Sequence, residues 1–130
     1  MKSLFILLIT FVCFTAASPQ NRGFKNLVGQ WEAVDAENQS GGLEFIDSGH
    51  IFLVYGKERK PATSCTFDFS KSPGWFDFSL VDSTGITTLK SLLLFVNDDL
   101  IQWQVFDGDA RPAYFTEDKG QMVYLRRKRS

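Results

Sequence analysis

The sequence predicts an all-β domain, an eight-stranded up-and-down antiparallel barrel, with a Greek-key β-sandwich as the alternative topology. From residue 28 onward, apolar and polar residues alternate with a period of two, which is typical of strands with one buried face. Glycine, proline, asparagine and aspartate interrupt this alternation at intervals of roughly 8–12 residues, and no stretch has a convincing helical period. We favour the barrel because closing the sheet removes the unpaired strand edges.

Residues 1–17 have the pattern of a secretory signal peptide. Lys2 provides a positive start, a nearly continuous apolar run covers Leu4–Phe14, and Thr15–Ala17 offers small residues for cleavage. The apolar run is shorter than the roughly 20 residues that span a bilayer. We therefore expect a secreted or periplasmic protein with no membrane span after cleavage. A retained anchor and lipid attachment through Cys13 are the alternatives.

The rest of the chain divides into a short lead-in and one domain. Residues 18–26 are polar, contain proline and glycine and show no period, which predicts a flexible lead-in, and residues 27–130 form the domain. The formal net charge of −1 argues against a nucleic-acid partner. With the leader removed, Cys65 is the only cysteine, so no internal disulfide can form. The 13 phenylalanines make a stabilising aromatic core plausible.

Turn residues bound each of the eight predicted strands. The strands cover residues 28–34, 43–46, 50–55, 62–70, 75–81, 86–96, 100–106 and 122–127. In the hairpin of the fourth and fifth strands, each strand places its phenylalanines on one face, which specifies the register. The charged stretch 56–61 is predicted to be an exposed turn. The polar stretch 35–42 is predicted to be a mobile loop, and its Asn38 begins a glycosylation sequon that matters only in a eukaryotic host.

No arrangement of residues indicates a catalytic or metal site. His50 is the only histidine, and together with Cys65 it provides no metal-ligand spacing. The stretch Asp107–Asp109 is too short for a calcium loop. Carboxylate pairs such as Asp98 and Asp99 lie in turn-like stretches, where aspartate is favoured for hydrogen bonds to the backbone. We therefore predict a non-enzymatic protein without a cofactor or a metal.

The predicted barrel interior offers a candidate pocket, because eight strands enclose a space that side chains fill or that holds one small ligand. The residues predicted to line or rim this pocket are Phe45, Phe52, Tyr55, Phe67, Phe69, Phe76, Phe78, Trp103 and Tyr114. Since so many of them are bulky, a filled core is an equal alternative.

Two classes of function follow from these alternatives. The first is an exported module that binds a small hydrophobic molecule. The second is a filled-core module that interacts with another exported protein, as an inhibitor or an immunity-type partner. A cavity of ligand size would favour the first class. A filled barrel with an exposed aromatic patch, such as Trp75 beside Tyr114, would favour the second.

Several short motifs resemble those of a known family. Gly29-Gln30-Trp31, at the start of the first strand, resembles the Gly-x-Trp signature of lipocalins and their calycin relatives. Four later segments are similar, in the same order, to small exported bacterial lipocalin-like domains of largely unknown function. They are residues 72–78 (Ser-Pro-Gly-Trp-Phe-Asp-Phe), 97–100 (Asn-Asp-Asp-Leu), 111–115 (Arg-Pro-Ala-Tyr-Phe) and 125–127 (Leu-Arg-Arg). Asn97 replaces the glycine that is usual in the second of these motifs.

The resemblance implies a lipocalin-like fold and structural roles for Gly29, Trp31 and Arg127. In lipocalin-like barrels, the tryptophan of the first strand packs across the closed end, and an arginine of the last strand lies over it. The terminal Leu-x-Arg motif implies that Arg127 is this partner, with Arg126 as the alternative. A guanidinium over an indole makes a cation–π contact and also covers apolar surface.

Overall fold

The computed structural model describes residues 22–34, 41–106, 108 and 110–129. Within these ranges the protein is all-β, with a 3-10 helix over Phe24–Asn26 and no α-helix. Its nine strands are β1 (Gly29–Ala33), β2 (Gly41–Asp47), β3 (His50–Tyr55), β4 (Glu58–Pro61), β5 (Ser64–Asp68), β6 (Gly74–Asp82), β7 (Gly85–Asn97), β8 (Leu100–Phe106) and β9 (Gln121–Arg127). The predicted leader and the sequon at Asn38 lie outside the described residues.

All nine strands belong to one antiparallel sheet with the order β4-β3-β2-β1-β9-β8-β7-β6-β5. Every pair joins strands that are consecutive in the chain, except β1 with β9, so the order is that of an up-and-down meander rather than a Greek key. β4 and β5 are the two edges and do not pair with each other. Phe45 of β2 lies 6.3 Å from Phe67 of β5, although the two strands are far apart in the sheet order, so the sheet curls into a half-barrel. The predicted all-β class is confirmed, whereas the prediction of eight strands in a closed barrel is wrong.

The additional strand is β4, which the sequence predicted to be a turn. It carries three charged residues and Pro61, and it pairs only with β3, from Tyr55 opposite Glu58 to Phe52 opposite Pro61. Charges and proline are tolerated in this position because an edge strand has one unpaired side. The contacts that hold β4 come from neighbouring strands. The other eight strands lie within two residues of their predicted ends.

The lead-in ends in an ordered segment. Phe24, in the 3-10 helix, packs its ring against Phe45 and Phe67, with centroid distances of 6.0 and 5.2 Å. The sequence predicted that residues 18–26 are flexible, and the described part of this range instead contributes to the core. No helix among the described residues has the length and the apolar character to cross a membrane.

Candidate functional site

One end of the half-barrel is held shut around Trp31. The Trp31 side chain is buried, and its indole N–H donates a hydrogen bond of 2.8 Å to the carbonyl of Leu27. The guanidinium carbon of Arg127 lies 4.4 Å from the centre of the Trp31 ring. Gly29 has a φ of +130°, and a Cβ there would come within 3.2 Å of the Arg127 Nη1. Arg126, the alternative partner, points instead to solvent, with its side chain 59% exposed.

The Arg127 guanidinium also joins the start of the domain to the turn between β7 and β8. Its Nη1 donates to the carbonyl of Val28 at 2.9 Å and its Nη2 to the carbonyl of Asn26 at 2.8 Å. Its Nε donates to the Asp99 carboxylate at 3.0 Å, and Nη2 also reaches the carbonyl of Asp98 at 3.1 Å. The planar guanidinium, with its five donors, can bind all these acceptors while it covers the indole. We call this region the closed end.

Phenylalanine rings fill the interior next to Trp31. The rings of Phe67 and Phe76 stack with centroids 4.6 Å apart and planes within 4° of each other. Phe45 lies 6.0 Å from Phe76, and Phe69 lies 5.6 Å from Phe67. These four residues were predicted to line the pocket. The structure places them instead in an aromatic plug that closes this end. Phe24, in the 3-10 helix that precedes β1, packs against Phe67 and is also part of the plug.

The interior at the opposite end, the open end, contains a pocket of about 390 Å³. This volume lies within the range of small-molecule sites, roughly 300–1,000 Å³. Phe78, Trp103 and Tyr55, all predicted pocket residues, line it. The walls are largely aliphatic and come from seven strands, β1–β3 and β6–β9. The aliphatic residues include Leu53, Leu80, Leu89, Val105 and Val123. No charged side chain lines the pocket among the described residues.

The base of the pocket is continuous with the aromatic plug. The ring of Phe76 lies 5.0 Å from that of Phe78 and 6.3 Å from that of Trp103. The indole N–H of Trp103 donates a 2.9 Å hydrogen bond to the Ser91 hydroxyl, which in turn donates to the Phe76 carbonyl at 2.6 Å. The one polar atom of the Trp103 side chain is therefore satisfied within the protein, and the base is held in place by these bonds.

Two predicted pocket residues lie elsewhere. Ile51 and Leu53 belong to the core, so Phe52 between them points to the outer face, where the Arg59 guanidinium lies 3.9 Å from its ring centre. His50, the exposed first residue of β3, lies two residues before Phe52 and shares its outer face, so the strand did carry a signal that the prediction for Phe52 missed. Tyr114 is 56% exposed and packs against Phe115, and it does not line the pocket.

The segment that follows β8 packs on the outer face of the sheet. Gln104, on the face of β8 opposite to that of Trp103, is fully buried. Its amide Nε2 donates to the carbonyls of Thr116, at 2.6 Å, and Lys119, and its Oε1 accepts from the Thr116 N–H at 3.0 Å. Leu92, opposite Gln104 on β7, is also fully buried. The alternation alone could not reveal this layer, because the covering segment is irregular.

Trp75 lies on this outer face and is partly covered by cations. The Arg111 guanidinium lies 3.9 Å from the Trp75 ring centre and forms an ion pair with Asp77, and the Lys71 ammonium lies 4.8 Å from the same ring. Trp75 retains 37% exposure. The aromatic patch predicted around Trp75 is therefore a mixed surface of indole and positive charge.

The reactive side chains are dispersed. Burial raises the pKa of the Cys65 thiol to about 11, and a thiol that stays protonated is a poor nucleophile at neutral pH. His50 is the exposed first residue of β3, with its Nδ1 2.7 Å from the Asp47 carboxylate. Within the described ranges, no three His, Cys, Asp or Glu residues are grouped so that they could hold a metal ion.

Comparisons with protein-family models, with curated proteins and with solved structures found no match for this chain. Membership of the lipocalin-like family therefore stays a prediction from the motifs, and the geometry of the open end is the basis for a functional proposal.

Proposed function

We propose that this chain is a non-enzymatic, exported, lipocalin-like module that binds a small hydrophobic molecule in the pocket at the open end. The pocket itself supports the proposal, because it combines a volume of about 390 Å³ with largely apolar walls. Apolar surface removed from water contributes about 25 cal/mol per Å² to binding, before the costs of association are subtracted. Export is proposed from the leader pattern of residues 1–17.

The way the pocket is built also supports binding. Its walls stand on paired strands, and its base is held by the bonds of Trp103 to Ser91 and of Ser91 to the backbone. A pocket that exists before the ligand arrives saves the free energy of ordering side chains on binding. The contacts of the closed end stabilise the sheet and lie outside the pocket.

A second candidate is a module that binds another exported protein through its outer face. Trp75 is the observation in its favour, since it is partly exposed beside Lys71 and Arg111, and tryptophan and arginine are enriched in protein interfaces. We favour the ligand-binding candidate, because the interior contains a cavity of ligand size. The protein-binding candidate was predicted for a barrel whose interior is filled.

Native mass spectrometry of the protein from the exported fraction of its host tests the proposal. Leu89→Trp places a large side chain in the pocket, and Ile86→Trp is the matched control, since Ile86 lies on the same strand and is 71% exposed. We expect a stoichiometric small-molecule adduct on the wild type and on the control, and none on Leu89→Trp. Circular dichroism would verify that both variants are folded.

Added ligand covers the case in which a bound molecule is lost during purification. Decan-1-ol should change the fluorescence of Trp103 in the wild type, and the Trp103→Phe variant should lose this response. A bare polypeptide mass, together with no response to decan-1-ol, would contradict the proposal. A co-purifying protein with a bare pocket would favour the second candidate.

A further inference from the structure

We infer that the ligand is an uncharged aliphatic molecule of about a dozen non-hydrogen atoms, bound with its polar group at the rim beside Tyr55 and Gln121. This inference rests on the proposed function, since it assigns a ligand class to the same pocket.

The charge of the ligand follows from the side chains that line the pocket. None of the described lining residues is charged, so an ionised group inside would lie in apolar surroundings without a counter-ion. Three of the described arginines are engaged elsewhere. Arg127 belongs to the closed end, Arg59 pairs with Glu44, and Arg111 pairs with Asp77. A carboxylate inside the pocket would lose its hydration without gaining one of these partners, and at the rim it would meet no cation among the described lining residues.

The orientation of the ligand follows from where polar atoms remain available. At the base, the indole N–H of Trp103 is bonded to Ser91, and Phe78 offers only its ring. Tyr55 ends β3 and Gln121 begins β9, and both line the pocket and are exposed. Neither side chain has a hydrogen-bond partner among the described residues. A hydroxyl or carbonyl group at the rim can therefore bond to them while the chain points inward.

The size and type of the ligand follow from the volume and the walls. If each non-hydrogen atom takes about the 30 Å³ that a water molecule occupies in the liquid, a pocket of about 390 Å³ holds about 13 atoms. Leucine and valine side chains form most of the wall. The rings of Phe78 and Trp103 already contact each other, with centroids 6.0 Å apart, and both contact Phe76. A flexible chain fits such a surface better than a flat ring.

Isothermal titration calorimetry with defined compounds tests the inference. We would titrate the protein at neutral pH with hexan-1-ol, octan-1-ol, decan-1-ol and tetradecan-1-ol. Decanoate tests the effect of charge at equal chain length, and 2-naphthol tests an aromatic compound with as many non-hydrogen atoms as decan-1-ol. Affinity should rise about fourfold per added methylene until the pocket is full, with little gain from the longest alcohol. Decanoate and 2-naphthol should each bind at least about tenfold more weakly than decan-1-ol.

A pair of tyrosine variants tests the position of the polar group. Tyr55→Phe should weaken decan-1-ol binding about fivefold, through the loss of one hydrogen bond. Tyr114→Phe is the matched control, because Tyr114 has the same 56% exposure as Tyr55 and lies outside the pocket. The control variant should bind decan-1-ol with the affinity of the wild type.

The outcomes separate this inference from the proposed function. Equal or tighter binding of decanoate, or of 2-naphthol, would overturn the ligand class while leaving a ligand-binding pocket. An unchanged affinity of Tyr55→Phe would overturn the assigned orientation. If none of the compounds binds, the proposed function fails together with the inference.

Discussion

The closed end and the open end of this half-barrel are formed by the same strands, yet their interiors differ. On β6, Phe76 is fully buried in the aromatic plug, and Leu80, four residues further along, lines the pocket. Arg127 bonds three backbone carbonyls and a carboxylate at the closed end, whereas the described walls of the open end carry no charge. The difference indicates that packing at one end stabilises the fold and leaves space for a ligand at the other.

Packing explains why the contacts that stabilise the fold and the space of the pocket lie at different ends of the strands. A close-packed interior gains dispersion and burial free energy from every contact, and an unfilled space gains none. Contacts that stabilise the sheet must therefore lie outside the pocket. In this molecule they lie around Trp31 and Phe76, and substitutions at the two ends should have unequal consequences.

The largest effect should come from truncating the aromatic plug. Phe76→Ala should lower the free energy of unfolding by about 3–5 kcal/mol, because it leaves a cavity among packed rings. Leu80→Ala should lower it by only about 1 kcal/mol, since Leu80 is half-buried and already borders open space. Urea denaturation of the two variants measures both values. Equal losses would contradict the difference between the two ends.

A smaller effect is expected at the arginine that covers Trp31. Arg127→Ala should lower the free energy of unfolding by about 2–3 kcal/mol, because it removes the cation–π contact and the donors to several carbonyls. Arg126→Ala, the neighbouring control, should change it by less than about 0.5 kcal/mol, since its ion pair with Glu32 is long, at 3.9 Å, and exposed. Thermal and urea unfolding compare the two variants.

The Arg127 variant also tests whether the two ends are independent. Provided that it folds, Arg127→Ala should bind decan-1-ol as tightly as the wild type, because its contacts lie away from the pocket. Weaker binding by the folded variant would show that the closed end shapes the pocket.

The smallest effect should come from the exposed turn between β2 and β3. A hydrogen bond from His50, and then one from the Gly49 backbone, lower the pKa of Asp47 below its usual 3.8. A lowered pKa in the folded state stabilises the fold above the unfolded value, and this contribution is lost as the pH falls through the folded value. Asp47→Asn should therefore be slightly less stable than the wild type at pH 5, with the difference shrinking below pH 3.8. Melting temperatures across this range provide the measurement.

Local pattern was sufficient for most of the strands and insufficient for the shape of the sheet. Alternation and turn residues located eight strands, because both signals depend on residues that are close in the chain. β4 has no such signal, and it is held by pairing with β3 and by Arg59 on Phe52 and Glu44. Whether β4 meets β5 depends on the curvature of the whole sheet, which no single segment encodes.

The candidate site shows the same division between local and distant information. By itself, the sequence determined the all-β class, the positions of most strands and the residues of the Trp31 and Arg127 motifs, since period and motif are properties of short segments. Only the tertiary structure decided that Phe45, Phe67, Phe69 and Phe76 fill the closed end while Tyr55, Phe78 and Trp103 border an open pocket. The physical reason is that cavities and plugs form where side chains from distant segments meet, and that meeting depends on how the sheet curls.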